Sequence, residues 1–569
     1  MSYTKRTWVT GETITAEKLN NIEDGVDDLN RQLSDKQDAP ATAGTAGQVL
    51  GLDSNLNPVW MNQSGGGAKF PLSISITTQP NKVTYASGES FDPAGMVITM
   101  PLSDGTSVIV DNSKLSFNPS TFYNTSATGA PETQTLVITH TEGLYTLTTT
   151  LSVMVTAGTV YHYGFRFDSA ESDPDYIVSY LADAVGMTPA HMDYANDVFD
   201  YGSWENAFFM PRPCMLKYDG TVDYYLDPDD YSKKADGTAS DVADTTYQGN
   251  AMMEWGRDNQ KIWYKVVPDA TPTSCNVYIS NYQYDSDFVC WPFINNQGDP
   301  VNHFYTPIYN GAIISSRLRS MSGIAGSDLC KGKTAPVERT AARANNEDLA
   351  IWDTEVYCDI LLINYLLTLI SKTTQTQTAF GEGLHTSGSE SVNNGFTTGI
   401  HNAKGLFYGT NSGAAATYTN AVKVFGMENW WGFQWRRFGG MVNAKGTMKY
   451  KLTRGTGDGS TAEDYVVSTT LADYDSYLTG GTLPSANGTY IREMQFEDDG
   501  AYTPILANGS ATTYYCDGLW TNNNQVDYAY RGGSSYTGSP CGAWCLALVN
   551  AASDARWAIG AAPSCKPLS

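Results

Sequence analysis

The chain has 569 residues, too many for one hydrophobic core and enough for about three to four domains. Sixty acidic against thirty-five basic residues leave a formal charge of −25, which argues against a general nucleic-acid binder, whose phosphate contacts need a basic face, and against attachment to anionic lipid by charge. Only 17% of residues are charged while Gly (53) and Tyr (36) are abundant, a balance that points to loop-rich β architecture rather than helical bundles or disorder.

Residues 1–15 are polar and lack the apolar stretch of a signal peptide, so export by that route is not expected. The longest apolar run, 360–370, is interrupted by Asn364 and is too short to span a bilayer; it reads as a buried helix, without membrane insertion. Nine cysteines are an odd and sparse set, unlike a disulfide framework. The expected compartment of synthesis is a reducing cytosol, and an extracellular role then requires another way out.

In chain order, Leu19, Ile22, Val26, Leu29 and Leu33 recur at spacings of 3, 4, 3 and 4, the apolar seam of a coiled coil. So short a helix is marginal alone; it is either an amphipathic helix folded against its own chain or an oligomerising stalk, and residues 1–38 are read as holding the stalk because no companion apolar segment lies nearby. Residues 39–68 are rich in Pro, Ala, Gly and Ser, interrupted by Gln48-Val49-Leu50 and Pro58-Val59-Trp60, which predicts a linker holding one short hairpin. Residues 69–157 carry alternating apolar runs at 72–76, 96–100, 108–110, 136–139 and 147–155, separated by turns such as Ser103-Asp104-Gly105. That spacing predicts a small β-sandwich. Residues 158–569 have no evident linker and read as one α+β domain with heavy loops and a helix over 346–371.

Catalytic and metal templates fail on spacing. Residues 326–334 (GSDLCKGKT) place five residues, not four, between Gly and Gly-Lys-Thr, so this is a loop rather than a phosphate cradle. Asp227, Asp229 and Asp230 resemble a calcium loop, but Tyr231 occupies a ligand position and no Glu closes it. Cys541 and Cys545 have three residues between them, and with Cys516 and Cys565 they read as buried thiols rather than zinc ligands. No catalytic residue, cofactor or metal is assigned.

The last fifty residues are the most informative. Leu546 and Leu548 lie on one face of a strand over 544–550, with Cys545, Ala547 and Val549 on the other. Upstream stand Asp527, Tyr528, Tyr530 and the stretch 534–540, rich in Ser, Tyr, Gly and Thr, a composition shared by antibody-like binding surfaces and by ordinary loop-rich edges.

Four segments resemble known families. Thr7-Trp8-Val9-Thr10-Gly11 with 14–25 (ITAEKLNNIEDG) resembles the N-terminal segment of tail and baseplate fibre proteins from phages of Gram-positive bacteria. Gly44-Thr45-Ala46-Gly47-Gln48-Val49-Leu50 through Pro58-Val59-Trp60 looks like a motif of phage tail fibres. Residues 74–155, with Tyr85-Ala86-Ser87-Gly88-Glu89 and Gly95-Met96, resemble bacterial Ig-like domains. Gly426-Met427-Glu428-Asn429-Trp430-Trp431-Gly432, Arg531-Gly532-Gly533, Cys541-Gly542-Ala543-Trp544 and Trp557-Ala558-Ile559-Gly560-Ala561 resemble the C-type-lectin-fold variable proteins diversified by retroelements.

That last resemblance implies a fixed fold presenting a rewritten segment at about 519–569. The implied receptor-binding positions are Asp527, Tyr528, Tyr530, Ser535, Tyr536, Ser539, Pro540, Cys545, Ala547, Val549, Arg556 and Ala558. Calcium sites of lectins are not carried over, because their acid/Asn pattern is not evident.

The combined expectation is a multidomain, mostly β protein: stalk, Ig-like sandwich and C-type-lectin-fold domain. It would act as a trimeric phage tail adhesin, attached to other phage tail proteins through the N-terminal segment within residues 1–38, made in the host cytoplasm, released by lysis, and binding a bacterial surface receptor of protein or glycan. The alternatives are a tail-borne polysaccharide depolymerase and a purely structural spacer. Arg531 is expected to pair with Glu428.

Overall fold

Strands are the commonest regular element among the described residues, and helices are few. The computed structural model describes residues 48–52, 58–62, 69–126, 128–143, 145–386, 389–411, 418–454 and 464–568. The heptad segment from Leu19 to Leu33 lies outside these. Strands Gln48–Leu52 and Pro58–Asn62 pair antiparallel, with Leu50 opposite Trp60.

The chain divides into two compact units. One draws on residues up to 82 with 92–118 and 137–151; the other comprises 83–91, 119–136 and 152–569. The first unit contains an antiparallel sheet of Ser75–Thr78, Val97–Pro101 and Ser107–Val110, with Ile98 opposite both Ile76 and Val110. It also pairs Leu115–Asn118 with the strand Glu132–Glu142, Leu115 facing His140. In the second unit Thr84–Ala86 runs parallel to the end of Tyr145–Thr156, Tyr85 facing Val155. Burial of Ile98 and Met100, of Leu136 and Ile138, and of Leu151, Val153 and Val155 follows the period of two. The sequence reading missed Thr84–Ala86 and Leu115–Asn118: the first is only three residues long, and the second, although Leu115 and Phe117 alternate with polar residues, contains no β-branched residue.

Three larger sheets organise the second unit. One has four strands in the order Val178–Ala182, His162–Phe167, Cys275–Ser280, Trp263–Pro268. Another runs Val222–Tyr225, Arg212–Lys217, Gly249–Trp255, Phe304–Pro307, Pro563–Cys565, Trp352–Thr354. In that sheet the late strand Pro563–Cys565 sits between strands made much earlier, with Cys565 opposite both Tyr305 and Trp352. The largest sheet runs Leu478–Thr482, Thr447–Tyr450, Trp435–Ala444, Val526–Arg531, Leu546–Asn550, Gly518–Thr521, Ala486–Tyr490, with Ile559–Gly560 added parallel to Trp435–Ala444.

The expected helix over 346–371 is shorter than its periodicity indicated. Residues 352–354 form a strand, and helix α1 covers Tyr357–Ser371. Val356 is extended at φ −129° and ψ 154°, and Lys372 ends α1 in the left-handed region at φ 56°. Every residue of α1 is buried, so it is a core helix rather than an amphipathic one. Its polar groups are answered internally: Asn364 Nδ2 donates to the Ala543 carbonyl at 2.9 Å, and Trp430 Nε1 donates to Asn364 Oδ1 at 3.3 Å. Among the described residues no helix is long and apolar enough to cross a membrane.

Candidate functional site

The site is built on the strand Leu546–Asn550. It pairs antiparallel with Val526–Arg531 and parallel with Gly518–Thr521, which aligns Tyr530, Ala547 and Trp520 in one row across the sheet. Leu546 and Leu548 are buried in the main core with Leu519 and Ala529, as alternation predicted. The opposite face gathers Trp435, Tyr530, Cys545, Ala547 and Ile559, with Trp520 and Val549 half-buried against them. The Trp435 and Trp520 rings meet edge to face at 5.2 Å, a favourable arrangement of their quadrupoles.

Two loops edge this face. In the first, Ser534 N donates to Thr537 Oγ1 at 2.8 Å, Thr537 N to the Ser534 carbonyl, and Gly538 N to the His385 carbonyl at 3.0 Å. These bonds hold Tyr536 outward at 48% exposure, its ring 5.6 Å from that of Trp557. Ser539 Oγ lies 2.7 Å from the Tyr490 hydroxyl. In the second loop Arg556 is exposed and pairs with Asp554 at 3.0 Å. Arg437 secures this loop from beneath, donating to the Asp554 carbonyl at 2.7 Å and to the Tyr530 hydroxyl at 3.3 Å.

The twelve positions implied by resemblance therefore separate. Tyr536, Ser539 and Arg556 are exposed, and Pro540 and Val549 are partly so. Asp527, Tyr528, Tyr530, Ser535, Cys545, Ala547 and Ala558 are buried, and a side chain enclosed by its own chain cannot touch a receptor. Alternation correctly divides the strand into two faces, but the second face is not bare: Trp435, Ile559 and Trp520 close over Cys545 and Ala547. Tyr528 belongs to another cluster with Val442, Tyr474 and Tyr477. Half-buried Trp520 and Trp557, which sequence reasoning left out of the site, are its largest accessible aromatics. Their signal was present: Trp520 precedes Thr521 and three asparagines, and Trp557 follows the exposed Arg556 in an alanine-rich stretch.

The frame below is ionic as well as aromatic. Arg531 pairs with Glu355, Nη2 to Oε1 at 2.6 Å, and not with Glu428. Glu428 instead accepts the backbone N–H groups of Gly399 and His401 at 2.9 and 3.0 Å. Arg437 Nη1 meets Glu338 Oε2 at 2.6 Å with both side chains buried. Burial outweighs the attraction of Arg437 and pushes the Glu338 carboxyl up to about 7. A raised folded-state value means that the folded protein holds a proton the unfolded chain has released. The stability this contributes is complete below about pH 4.5 and is lost as pH rises through about 7. Unfolding free energy should fall by about 3 kcal/mol across that window, and Glu338→Gln should flatten the fall in denaturant titrations at pH 5 and pH 8.

A separate cleft of about 490 Å³ is lined by Lys265 to Pro268 on the strand Trp263–Pro268 and by Asp287, Val289, Trp291, Asp498 and Asp499. Burial raises the Asp499 carboxyl, which accepts from the Tyr450 hydroxyl at 2.7 Å. All nine cysteines are unpaired and buried. Among the described residues no group of three His, Cys, Asp or Glu is placed to hold a metal ion. The acids at 227–230 turn inward on their own loop, Asp227 Oδ1 accepting Asp229 N and Asp230 Oδ1 accepting Ser232 N.

Residues 78–155 are a bacterial Ig-like domain of group 3. This Ig-like domain covers the strands from Thr84–Ala86 to Tyr145–Thr156, and the aromatic face lies outside it. No curated protein matches the chain.

Proposed function

We propose that the chain is a phage receptor-binding protein, a tail adhesin that grips the host envelope through the face on Leu546–Asn550. The observation that carries this reading is the set of accessible groups there. Trp520, Val549, Tyr536, Trp557, Ser539 and Arg556 combine aromatic area, a hydroxyl and a cation on elements fixed by buried tryptophans and ion pairs. Rigid aromatic anchors with small polar neighbours are the economical way to bind varied partners. The resemblance of the C-terminal motifs to lectin-fold variable proteins, and of the N-terminal motifs to tail fibres, supports the same assignment. In this reading the Ig-like domain is a spacer, the heptads trimerise the chain, and several copies of one weak site gain avidity. The protein is made in the host cytoplasm, released by lysis and carried on the virion tail.

Binding of purified protein to host cells tests the proposal. Trp520→Ala is expected to weaken it about 30-fold, the loss of one aromatic anchor. Tyr536→Ala with Arg556→Ala should weaken it without changing the melt, since exposed substitutions cost little stability. Unchanged adsorption by all three would favour a structural spacer.

The cleft favours a second reading, an envelope polysaccharide depolymerase. Trp291 offers a stacking surface, and Asp499, raised by burial, has the character of a general acid beside Asp287 and Asp498. Sugar released from host envelopes, and abolished by Asp499→Asn, would establish it; no release leaves the adhesin.

A further inference from the structure

Three reactive groups that neither surface uses meet inside the second unit. Cys358 and Asp359 stand in the first turn of α1, and Lys566 follows the strand Pro563–Cys565. All three are buried. Lys566 Nζ lies 2.9 Å from Asp359 Oδ1, donates to the Pro292 carbonyl at 2.9 Å, and stands 3.4 Å from Cys358 Sγ. The Cys358 thiol donates to the same Asp359 oxygen at 3.3 Å. Amine, thiol and carboxylate form a closed triangle, joining the start of the central helix to a segment made some two hundred residues later.

We propose that Cys358 and Lys566 become covalently cross-linked through a single oxygen atom when the protein meets peroxide. A separation of 3.4 Å is that of reactants held for attack. It is too long for a direct sulfur–nitrogen bond without moving backbone in a close-packed interior, whereas one intervening oxygen closes it with a shift of about 1 Å.

In the first step the sulfur attacks peroxide. An S–O bond forms, the O–O bond breaks, water leaves, and Cys358 becomes a sulfenic acid. In the second, Lys566 passes its ammonium proton to Asp359, and an N–O bond forms between the amine and the sulfenic oxygen. One hydrogen from each group leaves with a second peroxide as two waters. Sulfur and nitrogen each lose two electrons, and the two peroxide molecules accept all four. Burial raises the Asp359 carboxyl, but at Lys566 burial is outweighed by the attraction of Asp359 and Cys358, which raises the ammonium as well, so this proton transfer is uphill and adds to the slowness of the reaction. Burial also pushes the Cys358 thiol up to about 12, so the first step is slow and requires sustained exposure.

Intact-mass measurement and peptide mapping of the full chain, held in hydrogen peroxide or in dithiothreitol, test the cross-link. The expected product is heavier by about 14 Da, one oxygen gained and two hydrogens lost. It should yield one linked peptide pair containing residues 358 and 566, and dithiothreitol should reverse it. The treated protein should melt at a higher temperature than the reduced one, and Cys358→Ser should show neither change. Lys566→Arg keeps a cation against Asp359 and should also lack the linked pair. Should either variant fail to fold, the wild-type peptide map decides alone. A gain of about 16 or 32 Da confined to the Cys358 peptide, a linked pair lighter by about 2 Da, or unlinked peptides after prolonged treatment would each overturn the proposal.

Discussion

Glu355→Gln is expected to cost about 4 kcal/mol or more, a large share of the roughly 5–15 kcal/mol that separates a folded domain from its unfolded chain. Glu355 is the common counterion of Arg436, at 2.8 Å, and Arg531, at 2.6 Å, and all three side chains are almost wholly buried. Arg531 also lies 3.5 Å above the Trp430 ring and donates to the Trp430 carbonyl at 2.6 Å. Burial draws its guanidinium down to about 10, so it remains charged at neutral pH. Glutamine keeps the shape and removes the charge, leaving two guanidinium groups in a medium that solvates them poorly. Denaturant unfolding at pH 7 measures the loss. The triple variant Glu355→Leu, Arg436→Met, Arg531→Met should recover much of it, because an apolar trio removes the unpaired charges altogether. A Glu355→Gln protein within about 1 kcal/mol of wild type would show that water reaches this cluster.

Gly542→Ala is expected to destabilise the domain by more than about 3 kcal/mol. Gly542 has φ +153°, and an added Cβ would stand 2.0 Å from Asp517 Oδ1. Asp517 has no room to retreat, since it is buried and its other oxygen accepts the Trp544 N–H at 2.7 Å. The next residue, Ala543, gives its carbonyl to Asn364 of α1, so displacing this turn also disturbs the central helix. Asp517→Ala removes the clashing carboxylate but frees the Trp544 N–H. The double variant should therefore lose less stability than the sum of the two singles, a coupling readable from the melts of wild type, the two singles and the double. Strict additivity would mean that the two residues do not meet.

These two sites mark the boundary of what the sequence makes legible. Alternation identified the strands at Leu136, Ile138, Val153 and Val155, and the inward side of Leu546 and Leu548, because pleat and burial share a period of two. It placed the start of the central helix too early: Trp352 and Val356 have suitable spacing, but strand pairing of Trp352–Thr354 with Pro563–Cys565 prevails over a local signal. For the site, alternation separates two faces without saying what covers each, which is why Cys545 and Ala547 were expected outside. Partner choice over long separations is also silent. Arg531 could be matched with any of sixty acids, and only tertiary packing selects Glu355 over Glu428. The Gly542 turn was visible as part of a motif, but the carboxylate that requires a glycine there was not.

The strand Pro563–Cys565, lodged between Phe304–Pro307 and Trp352–Thr354, has a consequence for biosynthesis. At about 5–20 residues per second, Tyr305 leaves the ribosome on the order of tens of seconds before Cys565 arrives to pair with it. Throughout that interval the Phe304–Pro307 edge of the sheet stands open to neighbouring nascent chains, and Trp352–Thr354, paired only with Pro563–Cys565 among the described residues, has no strand to join. Folding of this region is thus gated by translation, and the growing polypeptide is a client for a chaperone until Pro563–Cys565 is threaded home.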